Sequence, residues 1–182
     1  DGGFYALDSK AGDLCWKWSE GRPGPLYSPA AVWPVAAHNK VFIVAPDRAM
    51  TAIDISNGET VWRKTGHTVR EMIGISEDGE TIFARTMTDT VIAVHSKADE
   101  FQLKWKVNAG FGYDFAPAGM VEKDGHLFFG TKEGRIYCLE ASTGTVLWHY
   151  RVSDGLVNML NPISGHRILV TAADGNVSLL SF

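Results

Sequence analysis

A phrase that ends in tryptophan recurs along the 182-residue chain. It reads "FYALDSKAGDLCWKW" at 4–18, "MTAIDISNGETVWRK" at 50–64 and "IYCLEASTGTVLWHY" at 136–150, and a divergent copy, "TVIAVHSKADEFQLKW", occupies 90–105. Each copy consists of a strand-like run, a turn and a second strand-like run. The tryptophans stand 46, 43 and 43 residues apart, at Trp16, Trp62, Trp105 and Trp148. A sustained period of about 20 to 50 residues is typical of repeat architectures.

Two further positions recur inside the phrase. An acidic residue stands eight residues before the tryptophan and a glycine stands four before it, at Asp8, Asp54, Glu140, Gly12, Gly58 and Gly144. Glycine permits the positive φ that a tight turn needs, and the carboxylate can accept backbone N–H groups of that turn. The divergent copy has His95 in place of the acid, lacks the glycine and has two extra residues in its turn.

The residues between one tryptophan and the next supply four short strands. Apolar runs such as "KVFIVA" at 40–45 and "HLFFG" at 126–130 alternate with Gly- and Asp-containing turns, which leaves no room for a long helix. This pattern predicts the blades of a β-propeller. A flat indole at a fixed point of the outer strand can seal one blade against the next, so the recurring residues are predicted to be structural blade-docking residues. Small residues recur in the third strand, where neighbours crowd: Ala6, Ala52, Ala93 and Cys138.

The predicted fold is all-β: a β-propeller fragment of four-stranded antiparallel blades in a single partial domain. The blade parts are 1–18, 19–64, 65–107, 108–150 and 151–182, of which the middle three are complete. The last part supplies three strands, so we expect the chain to be the C-terminal piece of a larger ring, or strands of a partner chain to complete the ring, rather than a complete five-bladed ring. Open edges of an incomplete ring predict self-association.

The phrases "YALDSKAGDLCW", "TAIDISNGETVW" and "YCLEASTGTVLW" resemble the tryptophan-docking repeats of PQQ-like (quinoprotein-type) β-propellers, over essentially the whole chain. The matching residues are packing residues, so the resemblance is specific for the fold rather than for a function. It implies a bacterial, periplasmic or otherwise extracytoplasmic protein. The stretch at 111–150 is also similar to propellers that are fused behind calcineurin-like metallophosphoesterases.

Composition excludes several classes of function. Seventeen Lys and Arg residues against 21 Asp and Glu residues give a net charge of −4. No basic run forms the stripe that nucleic-acid binding needs, and no apolar stretch approaches the roughly 20 residues of a membrane-spanning helix. Cys15 and Cys138 fall at different points of the repeat without a metal or redox spacing, so we expect both to be plain buried thiols.

No catalytic, metal-binding or cofactor-binding set is predicted for this chain. The sequence contains no GxSxG or HExxH motif, and the histidines are scattered. Quinoprotein dehydrogenases of the resembling family bind pyrroloquinoline quinone and calcium, and some have a disulfide of adjacent cysteines. This chain has no adjacent cysteines and no matching set of calcium ligands, which leaves such an enzyme as a minor alternative.

The loops that lead from each tryptophan strand to the next blade differ in content and open on one face of a propeller. They read "SEGRPGPLYSP" at 19–29, "TGHTVREMIG" at 65–74, "VNAGFGYDFAP" at 107–117 and "RVSDGLVNMLNP" at 151–162. Aromatic and Arg side chains beside carboxylates suit a protein, peptide or polar small molecule. The candidate contact residues are Arg22, Tyr27, Arg70, Glu71, Tyr113, Asp114 and Asn158. Each of them could instead be an ordinary solvated or pore-lining residue, and Trp33 is predicted to lie in the core.

Two functions of different classes follow. The first is a non-catalytic scaffold or recognition propeller, which resembles envelope propellers such as the outer-membrane-assembly lipoproteins. The second is the C-terminal accessory propeller of a secreted or periplasmic enzyme such as a metallophosphoesterase, whose catalytic residues would lie upstream.

Overall fold

The computed structural model describes residues 3–19, 33–45, 47–70, 72–116 and 118–182. These residues form β-strands joined by turns and loops, and none of them lies in a helix that could cross a membrane. The strands are β1 (Phe4–Leu7), β2 (Leu14–Trp18), β3 (Val35–Ala37), β4 (Lys40–Val44), β5 (Met50–Asp54), β6 (Thr60–Lys64), β7 (Gly74–Ile75), β8 (Thr81–Arg85), β9 (Thr88–His95), β10 (Leu103–Tyr113), β11 (Val121–Lys123), β12 (His126–Gly130), β13 (Arg135–Glu140), β14 (Val146–Arg151), β15 (Val157–Ile163), β16 (Arg167–Ala172) and β17 (Val177–Ser181).

The strands pair with their neighbours in the chain to form five antiparallel sheets. The first sheet contains β1 and β2, the second β3 to β6, the third β7 to β10, the fourth β11 to β14 and the fifth β15 to β17. The three middle sheets have four strands each, in the order of the chain. The predicted all-β architecture of three complete four-stranded units and two partial ones is therefore confirmed.

The core lies between the sheets. Four clusters of buried apolar side chains each contain residues of two consecutive sheets, as with Phe42 and Ile82 of the second and third sheets. The two middle strands of each complete sheet are buried on both faces, as in β8 with the sequence "TIFAR". Such strands read as continuous apolar runs rather than alternating ones. Stacking of sheet on sheet therefore explains the unbroken apolar runs in the sequence.

Each tryptophan of the repeat faces a small residue across the last strand pair of its sheet. The register shifts beside this pair in each of the four sheets, which marks a bulge at an equivalent place. The pairs are Ala6 with Trp16, Ala52 with Trp62, Ala93 with Trp105 and Cys138 with Trp148. A small side chain on the inner strand leaves room for the indole on the strand opposite.

The segment 107–117 differs from the expected loop, because β10 continues through Tyr113. Gly110 and Gly112 have positive φ within this extension, where the register with β9 shifts. Phe111 is buried, and its ring makes edge contacts with Phe129 at 5.3 Å and Tyr137 at 6.3 Å. These contacts with the fourth sheet hold the extended strand in place.

Two predictions of burial are wrong. Cys15 is exposed, because it occupies the bulge of β2 and has no cross-strand partner in the register of β1 and β2. Trp33 is 69% exposed rather than in the core: it lies two residues before β3 and so outside the strands that pack between the sheets. Cys138, in contrast, is buried as expected.

Candidate functional site

The tryptophan of one sheet docks on the turn of the next sheet. The indole N–H of Trp16 donates to the carbonyl oxygen of Ile55 at 2.8 Å, and its ring lies over Gly58. Trp105 repeats both contacts two sheets later: it donates to the carbonyl oxygen of Ala141 at 3.0 Å, and its ring lies over Gly144. Any Cβ at Gly58 would stand 2.7 Å from the indole ring. Glycine is thus required at this place for the indole as well as for the turn.

The turns themselves have the geometry that their residue types favour. Gly12, Gly58 and Gly144 have φ of 76°, 78° and 77°. The carboxylate of Asp8 accepts the backbone N–H of Ala11 at 2.7 Å and of Lys10 at 2.9 Å, and these bonds lower the pKa of the Asp8 carboxyl.

The other two recurring acids also hold their turns. Asp54 accepts the hydroxyl and the backbone N–H of Ser56, and these bonds lower the pKa of its carboxyl. Glu140 differs in that its side chain accepts the hydroxyls of Ser142 and Thr143. Each acid therefore stabilises its own turn. In the second and fourth sheets, this is the turn on which the tryptophan of the preceding sheet docks.

The boundary between the second and third sheets is built differently. The turn after β9 is the longer, glycine-free one, and Trp62 packs edge-on against Phe101 of that turn at 5.6 Å. The Trp62 indole N–H finds no acceptor among the described residues. Instead, the ammonium group of Lys40 donates to the carbonyl oxygen of Lys97 at 2.9 Å and pairs with Asp99 at 2.8 Å. An aromatic contact and a lysine bridge thus replace the indole–glycine contact here.

A buried ion pair joins the third and fourth sheets at the opposite end of the strands. Arg85, at the end of β8, is fully buried and pairs with Asp114 at 3.3 Å. Its guanidinium also donates to the carbonyl oxygens of Gly130 and Ala116, both at 2.6 Å, and of Ala118 at 3.1 Å. A buried guanidinium with several acceptors is the arrangement in which a charge can be held inside a protein.

Asp114 was a candidate contact residue, but it is only 1% exposed, so its carboxylate faces the protein interior. It accepts the backbone N–H of Ala116 and of Lys132, both at 2.7 Å. Arg85 was not among the predicted residues. A signal that could have identified it is the lone cation at the end of the apolar run "TIFAR".

Next to this ion pair lies a surface group of four residues, which we call the aromatic–lysine cluster: Arg70, Tyr113, Phe115 and Lys132. The Lys132 ammonium stands 5.7 Å from the centre of the Tyr113 ring and 5.5 Å from that of Phe115. The Arg70 guanidinium donates to the Phe115 carbonyl oxygen at 3.1 Å. Tyr113 and Phe115 are 55% and 50% exposed. The structure thus brings two predicted residues, Arg70 and Tyr113, to one surface and adds two that the sequence did not indicate.

The remaining candidate residues do not join this cluster in the described structure. Asn158 lies on β15 in the fifth sheet, where it accepts the hydroxyl of Thr171. Arg22, Tyr27 and Glu71 lie outside the described residues. Within the described ranges, no group of three or more His, Cys, Asp or Glu side chains could hold a metal ion.

Comparison with known proteins identifies similar chains. A family model described as "Outer membrane protein assembly factor BamB" matches residues 1–104 and 102–182. The outer membrane protein assembly factor BamB of Legionella pneumophila (strain Paris) is 24% identical over 148 residues, which are 81% of this chain and 36% of that protein.

Solved structures show the same fold at low sequence identity. BamB from Moraxella catarrhalis matches with a TM-score of 0.72 and 17% identity, over 100% of this chain and 54% of that one. The computationally designed Ika8 protein matches with a TM-score of 0.77 and 16% identity, over 98% of this chain and 52% of that one. The chain spans about a third of the curated relative and about half of each of these structures. Because the two family matches together extend over residues 1–182, the chain belongs to the BamB-type family of PQQ-like repeat β-propellers.

Proposed function

We propose that this chain is a protein-interaction part of an outer-membrane protein assembly factor in the bacterial cell envelope. The observation that carries the proposal is the family match over the whole chain, which bears the description of such a factor. The curated relative from Legionella pneumophila has the same name, and its similarity covers 81% of this chain. Proteins of this kind act outside the cytoplasm, so we assign the chain to the periplasmic side of the envelope.

The function is non-catalytic on this proposal. The recurring residues of the chain are used in docking one sheet on the next, as Trp16 does on Gly58. Folds of this type provide a rigid frame whose loops meet a partner. Neither the metallophosphoesterase fusion nor the quinoprotein dehydrogenase has support from the matches described above.

The partner-binding surface on this proposal is the loop face that carries the aromatic–lysine cluster. Tyr, Phe and Arg side chains are enriched in protein–protein interfaces, and Tyr and Arg are among the types that contribute most to affinity. Here they stand on a loop and a turn that a buried ion pair connects. The loop and the turn are therefore held in fixed positions relative to each other.

The experiment that tests the proposal uses the full-length protein in its own host. Deletion of the gene should lower the amounts of outer-membrane proteins, and the tagged protein should fractionate with the envelope. Chemical cross-linking in intact cells should connect it to envelope proteins, while a tagged periplasmic protein of unrelated fold serves as the control. A cytoplasmic location, or unchanged outer-membrane protein amounts together with no envelope cross-link above the control, would reject the proposal.

A second measurement addresses the dehydrogenase alternative. If the chain held a quinone and calcium site, adding pyrroloquinoline quinone and Ca²⁺ to the full-length protein would raise its melting temperature, because ligands that bind only the folded state stabilise it. We expect no change in melting temperature.

A further inference from the structure

We propose that the aromatic–lysine cluster is the docking point for a partner segment in which a carboxylate side chain stands beside an apolar side chain. This inference rests on the proposed function, since it takes the occupant to be a protein, and it adds the chemistry of that occupant. The groups of the cluster that would contact the partner are the ammonium of Lys132 and the rings of Tyr113 and Phe115.

The charge of the cluster selects a carboxylate. Lys132 makes no ion pair with any described residue. Lys64 also makes none and lies over one ring, that of Phe101, whereas Lys132 lies near two exposed rings. These two rings attract a cation but do not neutralise it. A carboxylate from a partner would form a charge-assisted hydrogen bond there.

Three carboxylates stand near Lys132 in the chain or in the fold, and none forms an ion pair with it: Glu133, the next residue, is exposed and makes no ion pair with Lys132, and the other two are engaged elsewhere. Asp89, in the strand that pairs with β10, accepts the backbone N–H of Gly112. Asp114, between the two aromatic residues, is buried with Arg85. Neither is placed to pair with Lys132, so the attraction for an external carboxylate remains.

The rings select an apolar neighbour for that carboxylate. Tyr113 and Phe115 are each about half exposed, although aromatic side chains of their size are mostly covered in folded proteins. They flank the same ammonium group, so both rings border the point at which the carboxylate would bind. An aliphatic or aromatic side chain next to the carboxylate would therefore cover ring surface and exclude water from the ion pair.

The backbone beneath the cluster is fixed before any partner binds. Asp114 accepts the N–H of Lys132 and of Ala116, and Arg85 donates to the carbonyl oxygen of Ala116. Arg70 holds the carbonyl oxygen of Phe115 from the other side. A preformed surface loses little conformational entropy on binding.

The test uses three fluorescent nine-residue peptides and the full-length protein. The peptides are identical except for their central pair, which is Leu-Glu, Leu-Gln or Leu-Lys, and binding is followed by fluorescence anisotropy. We expect the Leu-Glu peptide to bind about tenfold or more tightly than the Leu-Gln peptide, because only the former supplies a charged acceptor.

Variants of the full-length protein then locate the site. Lys132→Glu should reverse the preference, so that the Leu-Lys peptide binds best, and Tyr113→Ser with Phe115→Ser should weaken binding of the Leu-Glu peptide about tenfold or more. Lys10→Glu is the matched control, because it makes the same charge change on the exposed turn of the first sheet, and it should leave binding unchanged. Circular dichroism and melting temperature confirm that each variant is folded.

Equal binding of the three peptides, no binding by any of them up to about 1 mM, or an unchanged preference in Lys132→Glu would overturn the inference. Cross-linking in cells separates this failure from failure of the proposed function. If the wild-type protein cross-links to envelope proteins and Lys132→Glu does so equally, the docking point is wrong while the envelope function stands.

Discussion

At the scale of single residues, two glycines of the repeat have the same backbone conformation and different surroundings. Gly12 and Gly58 have φ of 76° and 78°. A Cβ at Gly12 would meet nothing within 4 Å, whereas a Cβ at Gly58 would stand 2.7 Å from the ring of Trp16. The pair therefore separates the cost of a left-handed backbone from the cost of disturbing the indole.

Gly58→Ala should destabilise the protein more than Gly12→Ala. Both substitutions place a Cβ in the left-handed region, at a cost of about 1–2 kcal/mol. Gly58→Ala also forces the Trp16 indole away from its position, which adds about 1–3 kcal/mol of overpacking. The free energies of unfolding from urea titrations give the difference. Equal losses in the two variants would mean that the indole–glycine contact contributes nothing.

The two cysteines should differ sharply in reactivity. Burial raises the pKa of the Cys138 thiol to about 12, so at pH 8 it is protonated and shielded in the folded protein. Cys15 is exposed. Treatment of the folded protein with iodoacetamide at pH 8, followed by peptide mass spectrometry, should show alkylation of Cys15 long before that of Cys138. Equal rates at the two positions under native conditions would contradict the packing of Trp148 against the third strand of its sheet.

At the scale of elements, the long turn after β9 gives the boundary between the second and third sheets its own pH response. His67 stacks on Phe101 of that turn with 5.5 Å between ring centres. Burial lowers the pKa of the His67 imidazole, and the charges of Lys106 and Lys64 lower it further. The folded protein therefore takes up the His67 proton at a lower pH than the unfolded chain does.

The sign of the effect follows from proton linkage. Above the ordinary histidine pKa of about 6.5, both states hold His67 neutral and its titration has no effect on stability. As the pH falls below that value, the unfolded chain gains a proton that the folded state does not, so stability decreases. The loss of unfolding free energy between pH 7 and pH 5.5 should be smaller in His67→Gln than in the wild type. Parallel pH curves for the two proteins would show that His67 is not buried by Phe101.

The Arg85–Asp114 pair should be worth more than the surface ion pairs. Asp114→Asn leaves the Arg85 guanidinium buried without its carboxylate, and loss of one partner of a buried pair costs about 3–5 kcal/mol. The matched control is Asp124→Asn, which removes an exposed carboxylate that lies 3.7 Å from the Lys123 ammonium and 3.2 Å from the His166 imidazole, and it should cost under about 1 kcal/mol. Urea unfolding of both variants checks the prediction, and similar losses would place Asp114 in contact with solvent.

The elements also show how far the sequence could predict the structure. The four strands of each complete sheet depend on short-range patterns, so the repeat was sufficient to predict them. The repeat also indicated small residues in the third strand, but their register opposite the tryptophans came only from the structure. The extension of β10 was missed because Gly110 and Gly112 are typical of a loop, whereas the partners of Phe111 lie on β12 and β13.

The candidate site depends more than the fold does on contacts between residues that are far apart in the chain. Arg70 and Tyr113 were identified from residue type, since aromatic and Arg side chains on loops favour binding. Asp114 was included with them because the sequence does not show that it is buried with Arg85, which stands 29 residues earlier in the chain. Lys132 lies in a turn of ordinary composition, and only the fold brings it beside Tyr113 and Phe115.

At the scale of the whole molecule, each hydrophobic core lies at the boundary between two consecutive sheets and contains side chains of both. In such an array the stability is approximately a sum of sheet terms and nearest-neighbour terms. The Trp16–Gly58 contact belongs to the boundary of the first and second sheets, while Arg85–Asp114 and Trp105–Gly144 both belong to that of the third and fourth. The position of two substitutions in this array should therefore decide whether their effects combine independently.

Gly58→Ala combined with Asp114→Asn should lose the sum of the two single losses, within about 0.5 kcal/mol, because the substitutions act on boundaries that share no side chains. Arg85→Met combined with Asp114→Asn should lose less than the sum by about 1 kcal/mol or more, because the two side chains form one buried ion pair and either substitution alone already breaks it. Urea unfolding of the single and double variants of the full-length protein measures both cycles. Equal coupling in the two cycles would mean that the sheets respond as one body, so that a disturbance at one boundary reaches all the others.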